Sequence, residues 1–334
     1  MSLLPAQVPS SPTDHSPNTH LWDHLSLHGV ISSFVSSIDV PDCHPQVYNG
    51  WMRKQKPHKS KFFRKHYAIP SEHGIWIWWL GPLIIGTSAA GGPSSAFLTL
   101  FLAALFAFLI RQPVSILVKA WSGRRNKDDV RPAAFWIVVY GIGLLVFVAI
   151  LVAQGYRQIL LLAIPGIPVF IWNIRLISKR SERGQRGIEL VGSGVLALAA
   201  PAAYWVSGGT EVFLPWILWL LTWLQSAASI VNVYDRLKFR ELDQIPSLEI
   251  RLRNGRRSIA YHIFNVILSA ILAVGGWIPW LSVSAFVLML LDSAESVIHP
   301  PIGAKARAIG FRQLGASILF VILMSMGFLL AGTL

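Results

Sequence analysis

Gln225, Ser229, Asn232 and Arg236 recur at spacings of four, three and four residues in a stretch that is otherwise apolar. On a helix those intervals return to one face. His262, Asn265 and Ser269 repeat the pattern at three and four. Between the stripes runs a charged segment, Asp235-Arg-Leu-Lys-Phe-Arg-Glu-Leu-Asp243, followed by Arg251, Arg253, Arg256 and Arg257, with Pro246 interrupting any long helix. Polar groups in hydrocarbon are expensive and face a bundle interior or a wet cavity. We therefore expect two facing polar stripes beside a charged loop, with Asn232, Arg236, His262 and Asn265 lining a site.

Further residues suit the same chemistry. Arg111 and Arg175, with Lys119, Lys179 and Arg236, would line a mouth suited to phosphate or diphosphate, because guanidinium presents a fork of donors to phosphate oxygens. Each is equally an orientation charge. Glu72 and His73 stand at the start of the first apolar segment, where an acid meets the positive end of a helix. Glu189 opens the fifth segment and is open to proton handling or to a salt bridge. Asp292 and Glu295 either hold a divalent cation or neutralise the basic loops. Trp216, Trp219 and Trp223 share one helix face and read as packing.

The elements that must position these residues are membrane helices. Of 334 residues, 53% are hydrophobic and 13% charged, which excludes an ordinary soluble domain. The expected class is all-α, a polytopic bundle of about nine crossings near 74–90, 94–111, 134–153, 158–178, 188–206, 212–234, 258–275, 277–293 and 315–334, each close to the ~20 residues a bilayer requires. Gly-rich breaks at 91–94, 154–157, 207–210 and 275–276 suit antiparallel hairpins.

Charge sets the orientation. Of the 29 Lys and Arg, 28 fall before the first segment or in alternate loops, and Arg157 alone falls in the other set. Nine crossings with the N-terminus inside and the C-terminus outside satisfy the positive-inside rule. The formal charge of +13 then needs no nucleic acid, because topology and anionic headgroups account for it. The single cysteine, Cys43, excludes an intrachain disulfide. No nucleotide loop, GxSxG elbow, HExxH or EF-hand pattern is present.

Residues 1–51 contain no Lys or Arg but hold four of the sixteen acids and five of the ten histidines. They read as a disordered tail, followed by a basic lead over 52–73 and the membrane domain over 74–334. The composition break at Met52 is consistent with translation starting there.

Pro70-Ser-Glu-His-Gly-Ile-Trp76, Leu80-Gly-Pro-Leu83, Arg111-Gln-Pro113 and Ala308-Ile-Gly-Phe-Arg-Gln-Leu-Gly315 resemble the bacterial YwiC-like membrane proteins over residues 60–334. That resemblance implies a bacterial inner (plasma) membrane location and no established activity. The architecture also resembles UbiA-type prenyltransferases, which hold Mg2+ and an isoprenyl diphosphate on two aspartate-rich loops. It would place catalytic roles on Asp235 and Asp243, and magnesium on Asp235, Glu241 and Asp243. The spacing departs from D-x-x-x-D, since position 239 is Phe, and Arg111-Gln-Pro stands where the first acidic loop is expected. The expected function is lipid or prenyl transfer at a cytoplasm-facing anion site, acting on an isoprenoid or phosphorylated lipid among membrane lipids. Transport with Glu189 or His262 as a proton relay, and a non-catalytic assembly role, are the alternatives.

The orientation is directly testable. In a Cys43→Ser background, Thr210→Cys should react with a membrane-impermeant maleimide on intact cells, and Leu242→Cys only after permeabilisation. Reversed labelling would overturn the topology.

Overall fold

The computed structural model describes residues 65–68, 75–179 and 186–332. Every regular element among them is helical: α1 (Ile75–Ala89), α2 (Phe97–Leu109), α3 (Arg111–Trp121), α4 (Val130–Ala153), α5 (Ala163–Ser178), α6 (Arg186–Ala197), α7 (Ala199–Val206), α8 (Leu214–Arg240), α9 (Leu248–Val274), α10 (Trp280–Ile298) and α11 (Ala306–Ala331). Glu72 and His73 lie outside the described residues.

Among the described residues, eight stretches are long and apolar enough to cross a membrane, with α2–α3 and α6–α7 each acting as one. The place of the expected first crossing is taken by α1, whose fifteen residues span about 22 Å at 1.5 Å per residue. The distribution of residues is that of a protein in lipid. Val138, Ile142, Leu145 and Ile150 of α4 and Ile164, Ile167 and Ile171 of α5 are exposed, whereas Asn232, Arg236, His262 and Asn265 are buried. In water such an arrangement would leave large apolar patches uncovered. The chain is a multi-pass helical membrane protein.

Two apolar clusters share α1. Ile85 joins Ala200, Tyr204, Leu218, Phe286, Met289 and Phe320 in one, and Trp79 and Leu83 join Leu100, Ala103, Phe108 and Leu151 in the other. Helix α1 packs on α7 at very short range: a Cβ added to Gly86 would lie 2.1 Å from the Ala200 carbonyl oxygen. Close approach through small residues is how membrane helices gain dispersion contact. The four Gly-rich breaks are turns as expected. At the end of α9, Gly276 takes φ +74°, with Gly276 N–H bonded to Ala273 O at 3.0 Å and Trp277 N–H to Leu272 O at 2.9 Å. That is a glycine-stopped helix end.

The charged loop needs correction. Helix α8 continues to Arg240 and α9 begins at Leu248, so Asp235 through Arg240 and Arg251 through Arg257 are helical. Only Glu241–Ser247, which contains Pro246, is the connection. Lys, Arg and Glu are good helix formers, and Lys238 and Arg240 in the last turn of α8 meet its negative end. Similarly, α2 passes through Ile110 almost directly into α3, so Arg111-Gln-Pro113 opens a helix and not a loop. Proline is tolerated there, in a first turn.

Gly86→Ala should cost ~1–3 kcal/mol or more as overpacking, read as lowered Tm in detergent. Gly315→Ala, where an added Cβ meets nothing within 4 Å, is the control and should leave Tm unchanged.

Candidate functional site

Gly255, Ser258, His262, Asn265, Ser269 and Ala273 make up the whole buried face of α9, while Ile263, Phe264, Ile267 and Ile271 are exposed. Helix α9 is thus apolar outward and polar or small inward. Gly255 is part of this design, because a Cβ there would lie 2.3 Å from Val297 Cγ2 of α10. On α8 the inward stripe Gln225, Ser229, Asn232 and Arg236 is buried as the spacing predicts.

The stripes meet through α10. Arg236, 1% exposed, donates from one Nη to Asp292 Oδ2 at 2.6 Å and to the Asp292 carbonyl at 2.8 Å. Asn232 donates to Asp292 Oδ2 at 3.5 Å and accepts from Ser296 at 3.2 Å. From α9, Ser258 reaches Ser293 at 2.8 Å. Arg312 of α11 donates to Asp292 Oδ1 at 3.0 Å and also pairs with Glu295, which faces His299 at 3.8 Å. Gln313 Oε1 accepts from Arg236 at 3.4 Å. Asp292 and Glu295 therefore neutralise arginines. Ser258, Ser293, Ser296 and Gln313 extend the stripes; a serine in an apolar helix carries too weak a signal to single out without knowing its neighbour.

Several buried polar atoms have no hydrogen-bond partner among the described residues. They include Gln225 Oε1, Arg236 Nε, both ring nitrogens of His262, Asn265 Nδ2 and Gln313 Nε2. A buried polar atom left unpaired costs ~1–3 kcal/mol, so each of these atoms would gain from a hydrogen-bonding partner.

A second region lies at the basic end of α8 and α9. A pocket of about 310 Å³ is lined by Lys238, Arg253, Asn254, Arg256, Arg257, Tyr234 and Asp235, with Leu190, Ile230 and Val231 as its apolar wall. Arg253, Arg256 and Arg257 are exposed and form no ion pair among the described residues. Tyr234 donates to Glu189 at 2.8 Å, and Trp219 and Trp223 donate to the Gly194 and Leu190 carbonyls at 2.9 and 2.8 Å, fixing α6 against α8.

The anticipated anion mouth is not assembled as expected. Arg236 is committed to Asp292, and Arg111 on α3 and Arg175 on α5 are absent from the pocket lining, since α3 and α5 pack on one another. The cations that gather are Lys238, Arg253, Arg256 and Arg257, brought together because α8 and α9 stay helical past the expected boundaries. The magnesium set does not fit either. Asp235 sits in α8 six residues before Glu241, about 9 Å along a helix, and Glu241 and Asp243 are exposed in the connection. No group of three His, Cys, Asp or Glu side chains among the described residues is placed to hold a metal.

Comparison with known proteins agrees with the first resemblance. Residues 69–204 match the model for the YwiC-like protein family. This segment is similar to that family. The chain is also 26% identical over 211 residues to the uncharacterized protein YwiC of Bacillus subtilis (strain 168), covering 62% of this chain and 79% of that one. Neither match is to a UbiA-type prenyltransferase, and no solved structure gives a significant match. The YwiC-like match spans α1–α7 and ends before α8, so both polar stripes lie beyond it.

The Arg236–Asp292 pair should behave as a unit. Asp292→Leu or Arg236→Met alone should cost ~3–5 kcal/mol, because each leaves a buried charge uncompensated. The double variant should cost less than the sum, read by denaturant unfolding in detergent.

Proposed function

We propose that this protein binds the phosphate-bearing headgroup of an amphiphile in the pocket between α6, α8 and α9, on the cytoplasmic face of a bacterial inner membrane, and transfers its lipid group. The observation that carries the reading is the lining: four cationic side chains and one carboxylate, Asp235, beside the apolar Leu190, Ile230 and Val231. Exposed arginines without ion-pair partners among the described residues suit bidentate phosphate contacts, and a basic pocket between helices at a membrane boundary suits an anionic headgroup. The apolar wall would take the first carbons of the tail.

With an isoprenyl diphosphate, the carbon–oxygen bond breaks and the diphosphate leaves with the electron pair. Arg253, Arg256 and Arg257 then stabilise its charge. The acceptor forms the new bond to carbon and gives its proton to Asp235. No step passes through magnesium, since the acids do not converge. Transport is the second reading, supported by the unpartnered nitrogens of His262 within electrostatic reach of Asp292 and Arg236.

Native mass spectrometry in mild detergent should show a co-purifying phosphorylated lipid, reduced tenfold or more in Arg256→Ala/Arg257→Ala. Labelled isoprenyl diphosphate should pass its label to lipid, and Asp235→Asn should abolish that transfer while retaining the bound lipid. Wild-type protein free of bound lipid and inert toward the label would overturn the reading.

A further inference from the structure

A small cavity of about 30 Å³ lies between α1, α8 and α11, away from the basic pocket. That exceeds the ~10–15 Å³ of such space that one water needs, so it has room for a water or one small ion. The polar residues at its wall are Thr222, Gln225, Ser226 and Ser229 of α8 and Ser317 of α11; Trp78 and Pro82 line it from α1, Ile85, Phe320 and Val321 add apolar wall, and one side is open.

The hydrogen bonding around it is lopsided. Thr222 donates its hydroxyl proton to Leu218 O at 2.7 Å, and Ser226 donates to Thr222 O at 2.9 Å, so both present lone pairs elsewhere. Gln225 spends its amide on Ser229 at 3.0 Å, and its Oε1, on a side chain 5% exposed, has no partner among the described residues. Pro82 has no N–H, so the Trp78 carbonyl one turn earlier loses its helical donor at the cavity wall. The wall is mainly apolar, and set into it are the Thr222 and Ser226 hydroxyl oxygens, whose protons are spent along α8, and Gln225 Oε1. Such a set recognises a cation or a donor.

We propose that this cavity is a binding site for one small monovalent cation, held by neutral oxygens of α8 and α1. No carboxylate lines it, which disfavours a divalent ion, whereas neutral oxygens beside an interrupted membrane helix are suited to a singly charged one. The inference is independent of lipid binding in the basic pocket.

The test uses the purified full chain in detergent at constant ionic strength. Sodium, potassium, ammonium or lithium chloride replaces N-methyl-D-glucamine chloride in turn. The expected result is a saturable rise in Tm of ~2–4 °C with one or more small cations and none with the bulky one. Gln225→Leu and Ser226→Ala should each remove the cation-dependent increment, and Gln225→Glu, which supplies a charge, should lower the concentration needed. Identical melting in all five salts would overturn the proposal and leave a water site. An increment that survives in Gln225→Leu would place the cation elsewhere and overturn it too. Should a variant fail to fold, the salt series on the native chain still decides.

Discussion

A guanidinium that is 1% exposed inside a membrane bundle must have its charge answered, and Arg236 is answered by Asp292 from another helix. Removing either partner strands a charge in low dielectric, so α8 and α10 are held to this one register. The remaining contacts follow from it. Arg312 occupies the other carboxylate oxygen, Gln313 reaches the guanidinium, and Asn232 with Ser296 fills in behind. Helix α9 can then approach only with small or polar residues, and its inward face has them at every turn.

The same pairing separates two kinds of arginine. Arg236 and Arg312 are held by the protein's own acids, whereas Arg253, Arg256 and Arg257 project from the first turns of α9 with no such partner among the described residues. Their grouping depends on backbone continuity. Had α8 unwound at 234 and α9 begun at 258, Lys238 and these arginines would sit on separate flexible segments. Kept helical, the two ends place four cations on one pocket against an apolar wall, the arrangement an amphiphilic anion needs.

Helix α1 performs a different task at the centre of the fold. It divides its faces between two apolar clusters, touches α7 backbone to backbone at Gly86, and carries Pro82 where α8 presents spent hydroxyls. The cleft there lies beside the one position where proline removes a hydrogen bond from α1.

Periodicity alone determined that Gln225, Ser229, Asn232 and Arg236, and likewise His262, Asn265 and Ser269, would be buried. A helix has one face per spacing of three or four, and lipid leaves polar groups nowhere else to go. Composition determined the membrane class, and glycine the turns, because both act locally. Only tertiary structure decided that the stripes meet through Ser293, Ser296 and Asp292 of α10, that Asp292 serves arginines, and that Arg111 and Arg175 stay outside the lining of the basic pocket. These are matters of which helices are neighbours, and a spacing fixes a face without naming what stands opposite. The grouping of Arg253, Arg256 and Arg257 with Lys238 is not legible in the sequence for a related reason. Charge density in 235–257 suggested a loop, whereas packing of α8 and α9 kept those residues helical and turned the run into the wall of a pocket.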